Sequence, residues 1–138
     1  MSALFLSAVI SQTDLNTSDK EKITTVVRHF AQYADQQDVA AMSKVLDDQY
    51  RAYLNRLMGS NQVSTLDKTA YLQLLQDKKL GGDERKVTIS RIDITGNNAS
   101  VKMKMEGKKL NFTSYLLLAK TEAGDWKIVA DMPTVAQK

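Results

Sequence analysis

Apolar residues at Ile23, Val26, Val27, Phe30 and Ala34 recur at steps of three and four, the period of a helix with one buried face. Just before them, Thr17-Ser18-Asp19 are residues that cap helices, and Glu21 stands three after Ser18, the spacing of a capping box. The pattern predicts a first helix starting at this cap. A second helix follows a short polar break. Asp38 caps it, Val39, Met42, Val45 and Leu46 form its apolar side, and Asp47-Asp48-Gln49 breaks it. Tyr50 to Met58 reads as a strand that ends at the loop signal Gly59-Ser60-Asn61. A third helix is predicted from Asp67 to Lys79, capped by Thr65 or Asp67, with Ala70, Tyr71, Leu74 and Leu75 as its stripe. Lys78-Lys79 suits the negative end of the helix dipole, and Gly81-Gly82 stops the helix.

From Arg85 the period changes to two. Val87 and Ile89 alternate with polar residues, and so do Ile92 and Ile94. The step from 89 to 92 breaks parity, which predicts a β-bulge near Ser90-Arg91. After the turn Thr95-Gly96-Asn97-Asn98, Val101, Met103 and Met105 alternate with Lys102, Lys104 and Glu106. Leu110, Phe112, Ser114, Leu116 and Leu118 share one face of a long strand. Beyond the turn at Glu122-Ala123-Gly124-Asp125, Trp126, Ile128 and Ala130 alternate with Lys127, Val129 and Asp131, and Pro133 is expected to end the last strand. Short turns make these four strands a chain of hairpins. Three helices against one antiparallel sheet make an α+β domain, and a strongly curved sheet wrapping a helix would account for the bulge.

Residues 3–10, Ala-Leu-Phe-Leu-Ser-Ala-Val-Ile, are too few to span a bilayer. Their length fits a signal-peptide core, but no Lys or Arg precedes them. Residues 1–18 are therefore set apart as an apolar N-terminal segment, either a signal remnant or a short helix, and residues 19–138 as one domain. A cytoplasmic location is expected, with export the alternative if residues 1–11 are a truncated signal peptide.

Composition narrows the chemistry. The 138 residues contain no cysteine, which excludes disulfides, thiol catalysis, zinc–cysteine sites and iron–sulfur clusters, and a single histidine excludes multi-histidine metal sites. Neither a metal nor a cofactor is expected. The net charge of +3 is uneven: residues 1–77 carry −2 and residues 78–138 carry +5. Lys102, Lys104, Lys127 and Lys120 are expected to point outward from neighbouring strands. No aromatic row accompanies them, so nucleic acid is not an expected partner. Lysines on exposed strands also suppress edge aggregation. The chain has no GxGxxG, P-loop, GxSxG, HExxH or EF-hand signature.

The element order and several segments resemble the nuclear transport factor 2-like superfamily, and within it the SnoaL-like and lumazine-binding-like group. The segments are Ile23-Thr24-Thr25-Val26-Val27-Arg28-His29-Phe30, Asp38-Val39-Ala40-Ala41-Met42, Arg51 with Tyr53, Asn111 to Lys120, and Gly124-Asp125-Trp126-Lys127-Ile128-Val129. The resemblance covers about residues 20–131. It implies a cone of helices and curved sheet, a pocket between them, and a homodimer through the outer sheet face. Relatives often end the second helix with a His-Pro-Asp-like signal and carry an acid before the tyrosine of the long strand. Here those positions hold Asp47-Asp48-Gln49 and Ser114.

Tyrosines suit a pocket for a small hydrophobic or planar ligand, because each brings an apolar ring and one hydroxyl. Tyr33, Tyr50 and Tyr53, with Phe112, Ser114, Leu116 and Trp126, are the candidate pocket residues. Arg51, between two tyrosines, could pair with a ligand carboxylate or phosphate. The same rings also suit core edges with their hydroxyls at water. His29 reads as an exposed or edge residue beside the apolar stripe. Asp47-Asp48 reads as a helix terminator. Strict alternation puts Asp131 on the face opposite Trp126, away from any cavity. Small-molecule binding is the leading expectation. An isomerase, cyclase or dehydratase acting without metal is the alternative, and it would need His29 or Asp131 buried beside Tyr33 or Tyr50. An interaction module using Tyr115, Leu117 and Val129 is the third reading.

Overall fold

The computed structural model describes residues 12–57 and 59–138, with side chains from Ser18 onward. The apolar run at residues 3–10 lies outside the described residues. The order is α1 (Gln12–Gln36), α2 (Val39–Val45), β1 (Leu46–Asn55), β2 (Val63–Asp67), α3 (Lys68–Gln76), β3 (Lys86–Thr95), β4 (Asn98–Glu106), β5 (Leu110–Lys120) and β6 (Trp126–Gln137). The six strands form one curved, unclosed sheet in the order β2-β1-β6-β5-β4-β3. The four C-terminal strands pair antiparallel as a meander, and β1 joins β6 in parallel.

Two of the expected helix starts are built by capping side chains. The Asp38 carboxylate accepts from the Ala41 N–H at 3.1 Å, and that of Asp67 accepts from the Ala70 N–H at 2.8 Å. The first helix differs. It runs straight through Thr17-Ser18-Asp19, so these residues do not begin it. Asp19 is instead buried against the β5–β6 hairpin, where it accepts from the Trp126 indole N–H at 3.0 Å and pairs with Lys120 Nζ at 3.1 Å. A tertiary pairing has taken the carboxylate that the capping pattern assigned to the helix end. Lys120 is drawn inward by the same contact rather than pointing out with its neighbours.

Three strand assignments also differ from expectation. β1 begins at Leu46 directly after α2 rather than at Tyr50, so Asp47-Asp48-Gln49 lie in the strand. Val63–Asp67 pairs with β1 although it is short, largely exposed and without alternation. Pro133 does not end β6, which continues to Gln137. The β1 ladder on that side of β6 stops at Ala52↔Asp131, so Pro133 lies where β6 has become an edge and a missing N–H breaks no ladder. The predicted bulge at Ser90-Arg91 is present as a register shift between Ile89 and Arg91.

The buried face of α1 (Ile23, Val27, Phe30, Ala31 and Ala34) packs with Met42, Leu46 and Leu75 over the inner side of the sheet. The alternation of β4 delivers Ala99, Val101, Met103 and Met105 to that core, and β5 delivers Leu116 and Leu118. Among the described residues no helix is long and apolar enough to cross a membrane.

Candidate functional site

A second bulge decides the chemistry of the interior. Leu118 pairs with Ile128, but Leu117 pairs with Ala130, so Val129 is an extra residue in β6. One extra residue resets the alternation. Asp131 therefore shares the inner face with Trp126 and Ile128 and is only 5% exposed. This corrects the expectation from strict alternation, which placed it outside.

Asp131 lies at a cavity of about 470 Å³ between the sheet and the helices. The walls are mostly apolar. Phe30 and Ala34 come from α1, Ala52 and Leu54 from β1, Leu66 from β2, and Tyr71 and Leu74 from α3. The sheet adds Met105, Leu110, Phe112, Ser114, Pro133 and Val135. Lys79, Asp83 and Arg85, on the segment between α3 and β3, line it as well, and Asp83 accepts from the Lys108 N–H at 2.9 Å.

Within this lining Asp131 is electrostatically out of place. Its Oδ1 is buried and has no hydrogen-bond partner among the described residues. Burial raises its pKa from the ordinary carboxylate value to about 7, although the Ser114 hydroxyl within hydrogen-bonding reach and the charge of Arg85 pull the other way. The Tyr50 hydroxyl is likewise buried and unpartnered. Burial pushes the Tyr50 and Tyr71 phenols up, and the nearby Asp131 charge adds to both shifts. The two rings meet edge to face at 5.3 Å, and Tyr71 also stacks on Phe30 at 6.2 Å.

Arg85 does not neutralise Asp131 by contact. Its Nε donates to Asp35 Oδ1 at 2.6 Å and its backbone N–H to Asp35 Oδ2 at 3.1 Å. Both side chains are largely buried, and the guanidinium lies over the Phe112 ring at 4.9 Å. Arg85 and Asp35 also border a more open, polar groove with Arg28, Gln32, Gln36 and Glu84. Among the described residues no buried unpartnered group belongs to that groove's lining, so the inner cavity is the stronger candidate.

Of the residues singled out from sequence, Phe112 and Ser114 line the cavity. Tyr50 is fully buried and electrostatically coupled to Asp131 without forming a wall of the cavity. Leu116 is sealed in the core, and Trp126 is buried with its N–H spent on Asp19. Tyr33 is half-buried on α1, stacked on His29 at 5.0 Å. Arg51 and Tyr53 are exposed on β1. Sequence reasoning missed Arg85 with Asp35, and it left Tyr71 as a core residue. The available signal for Asp131 was a lone carboxylate inside Ile128-Val129-Ala130-Asp131-Met132. Among the described residues no group of three or more acidic or histidine side chains could hold a metal ion.

Comparison with known proteins agrees with this architecture. An NTF2-like protein of unknown function from Shewanella baltica OS155 superimposes with a TM-score of 0.76 at 20% identity, covering 88% of this chain and 97% of its own. One from Silicibacter pomeroyi DSS-3, also of unknown function, gives 0.75 at 14% identity, covering 88% and 98%. A ketosteroid isomerase-like protein from Erwinia carotovora atroseptica gives 0.69 at 12% identity, covering 84% and 95%. At these identities the likeness speaks for the fold alone. No curated protein matches the chain. The family model described as "Putative lumazine-binding" matches residues 18–132, most of the chain. The chain therefore belongs to that family, and its fold is that of the NTF2-like proteins.

Proposed function

We propose that this protein binds a small molecule with a flat, mostly apolar body in the cavity floored by Asp131. One observation carries the reading. A cavity large enough for such a ligand is walled by apolar side chains, yet it holds a buried carboxylate oxygen with no partner. Buried polar groups are ordinarily satisfied, and an exception at a cavity calls for a ligand or water to complete it. The family's description, lumazine-binding, supports a flat heterocycle. Phe112 and Ser114 would contact the ligand, and Tyr50 would act from behind Asp131. The exposed residues Tyr115, Leu117 and Met132 on the outer sheet face would be the contact surface of a homodimer.

Native mass spectrometry of gently purified protein tests both parts. The expected result is a dimer carrying extra small-molecule mass, with the adduct lost in Leu74→Trp, which fills the cavity. An adduct that survives Leu74→Trp would place the ligand elsewhere.

A second reading, an isomerase, cyclase or dehydratase, is favoured by the same carboxylate. A buried acid that titrates near neutrality is suited to proton transfer. The compound recovered from the protein, returned to it in D2O, separates the two. Deuterium uptake that requires Asp131 would support catalysis, and an unlabelled compound would support binding alone.

A further inference from the structure

We infer that the cavity selects a ligand that presents a protonated nitrogen to Asp131 at the end of a flat apolar body: a hydrophobic amine or a basic nitrogen heterocycle. The inference rests on the cavity being a binding site and adds the charge of what it takes.

The argument is one of unmet charge. Asp131 Oδ1 is enclosed and has no partner. Arg85 also lines the cavity, but its charge is already matched by Asp35 at 2.6 Å and its guanidinium lies over the Phe112 ring. The other cation of the lining, Lys79, is exposed to solvent, where its charge is screened. The floor of the cavity therefore carries an acid without a counter-ion. A ligand cation placed there would form an ion pair in a poorly solvated space, where such pairs are strongest.

The walls beside the acid point to the same charge. Phe30 and Tyr71 line the cavity with Asp131, while the Phe112 ring already carries the Arg85 guanidinium. Aromatic faces attract cations through their negative quadrupole, and a carboxylate set among aromatic rings is a lining suited to an alkylated or ring nitrogen. An anionic ligand would meet the same carboxylate as a like charge.

Three probes with one naphthalene body separate charge from shape: 1-naphthylmethylamine, 1-naphthylmethanol and 1-naphthoate, titrated against the full chain at pH 8 by fluorescence or calorimetry. The amine is expected to bind roughly tenfold or more tightly than the alcohol, the effect of one charge-assisted hydrogen bond, with naphthoate weakest. In Asp131→Asn the advantage of the amine should vanish while the alcohol binds as before. All three should fail with Leu74→Trp. Alcohol or naphthoate binding the wild type as tightly as the amine would overturn the inference and leave the pocket intact. Amine preference persisting in Asp131→Asn would overturn it too. Failure of all three to bind the wild type would overturn the pocket reading itself.

Discussion

Asp131 and Trp126 share the inner face of β6 because Val129 is an extra residue between them. The bulge puts an acid and an indole on one buried surface but leaves them in opposite electrostatic situations. Trp126 completes the hydrogen bonding of Asp19. Asp131 has an oxygen that no group among the described residues completes. The first pairing holds α1 on the sheet, and the second marks the cavity.

Asp131 should make the protein less stable as pH rises. Its folded pKa, about 7, lies above the unfolded carboxylate value, so between about pH 4 and pH 7 the folded state holds a proton that the unfolded state has lost. Stability contributed by the protonated acid is complete below that window and lost above it, a span worth roughly 4 kcal/mol. The groups facing it are Tyr50, Tyr71, Ser114 and the Arg85–Asp35 pair. Asp131→Asn should therefore be more stable than wild type at pH 8 and nearly equal to it at pH 4, as read by urea denaturation at the two pH values. Equal stabilities at pH 8 would contradict the burial of an ionisable acid.

Asp19 should behave in the opposite sense. Burial raises its pKa, but the Trp126 and Lys120 hydrogen bonds and the neighbouring lysine charges outweigh this and hold it below the ordinary value. Its contribution is present above the unfolded pKa and lost as pH falls through the folded one. Trp126→Phe removes the N–H that Asp19 Oδ1 accepts, leaving that oxygen to Lys120 alone, and shrinks a buried ring, at a cost of about 1–3 kcal/mol. A double-mutant cycle with Asp19→Asn should show coupling between the two residues. Additive effects would contradict the contact.

Asp35→Ala should be among the most damaging single changes, because it leaves the buried guanidinium of Arg85 without its partner, typically 3–5 kcal/mol. Thermal unfolding of this variant beside the double variant Asp35→Ala/Arg85→Met should show recovery in the double. No recovery would mean that the pair is not an isolated electrostatic unit.

Gly81→Ala should destabilise by more than about 1 kcal/mol for two reasons that act together. Its φ is +80°, and a Cβ there would run into the Ala34 carbonyl of α1. Chemical denaturation would read the loss. A neutral substitution would show that the segment after α3 does not sit against α1 as described.

Replacing Leu117 and Met132 together with lysine should convert a dimer to a monomer in sedimentation equilibrium, because both side chains are about half exposed on the outer sheet face, at 50% and 41%. A wild-type chain that is monomeric at tens of micromolar would contradict a dimer through this surface.

Much of the fold was legible because the patterns were long. The α1 stripe, the β4 alternation of Val101, Met103 and Met105, the caps at Asp38 and Asp67, and the broken parity at Ile89–Arg91 all left local marks in the sequence. The misses have physical causes. Strand β2 is short and exposed everywhere but at Leu66, so it leaves no periodic signal. Pro133 is tolerated because β6 loses its β1 neighbour before that point, a fact of pairing rather than of composition. The site was less legible than the fold. Val129 shifts parity without any glycine or change of polarity to mark it, so the acid that matters looked solvent-facing. Arg85 and Asp35 are fifty residues apart, and only the folded chain brings them together.

The central claim is that Asp131 is a buried, unpartnered acid at the floor of the cavity. Carboxyl 13C NMR of aspartate-labelled protein, with the resonance assigned by its absence in Asp131→Asn, reads its titration directly. The account predicts a midpoint near 7 in the ligand-free protein. A midpoint near 4, the value of a solvated aspartate, would show that water reaches Asp131 freely and would remove the basis for a ligand site there.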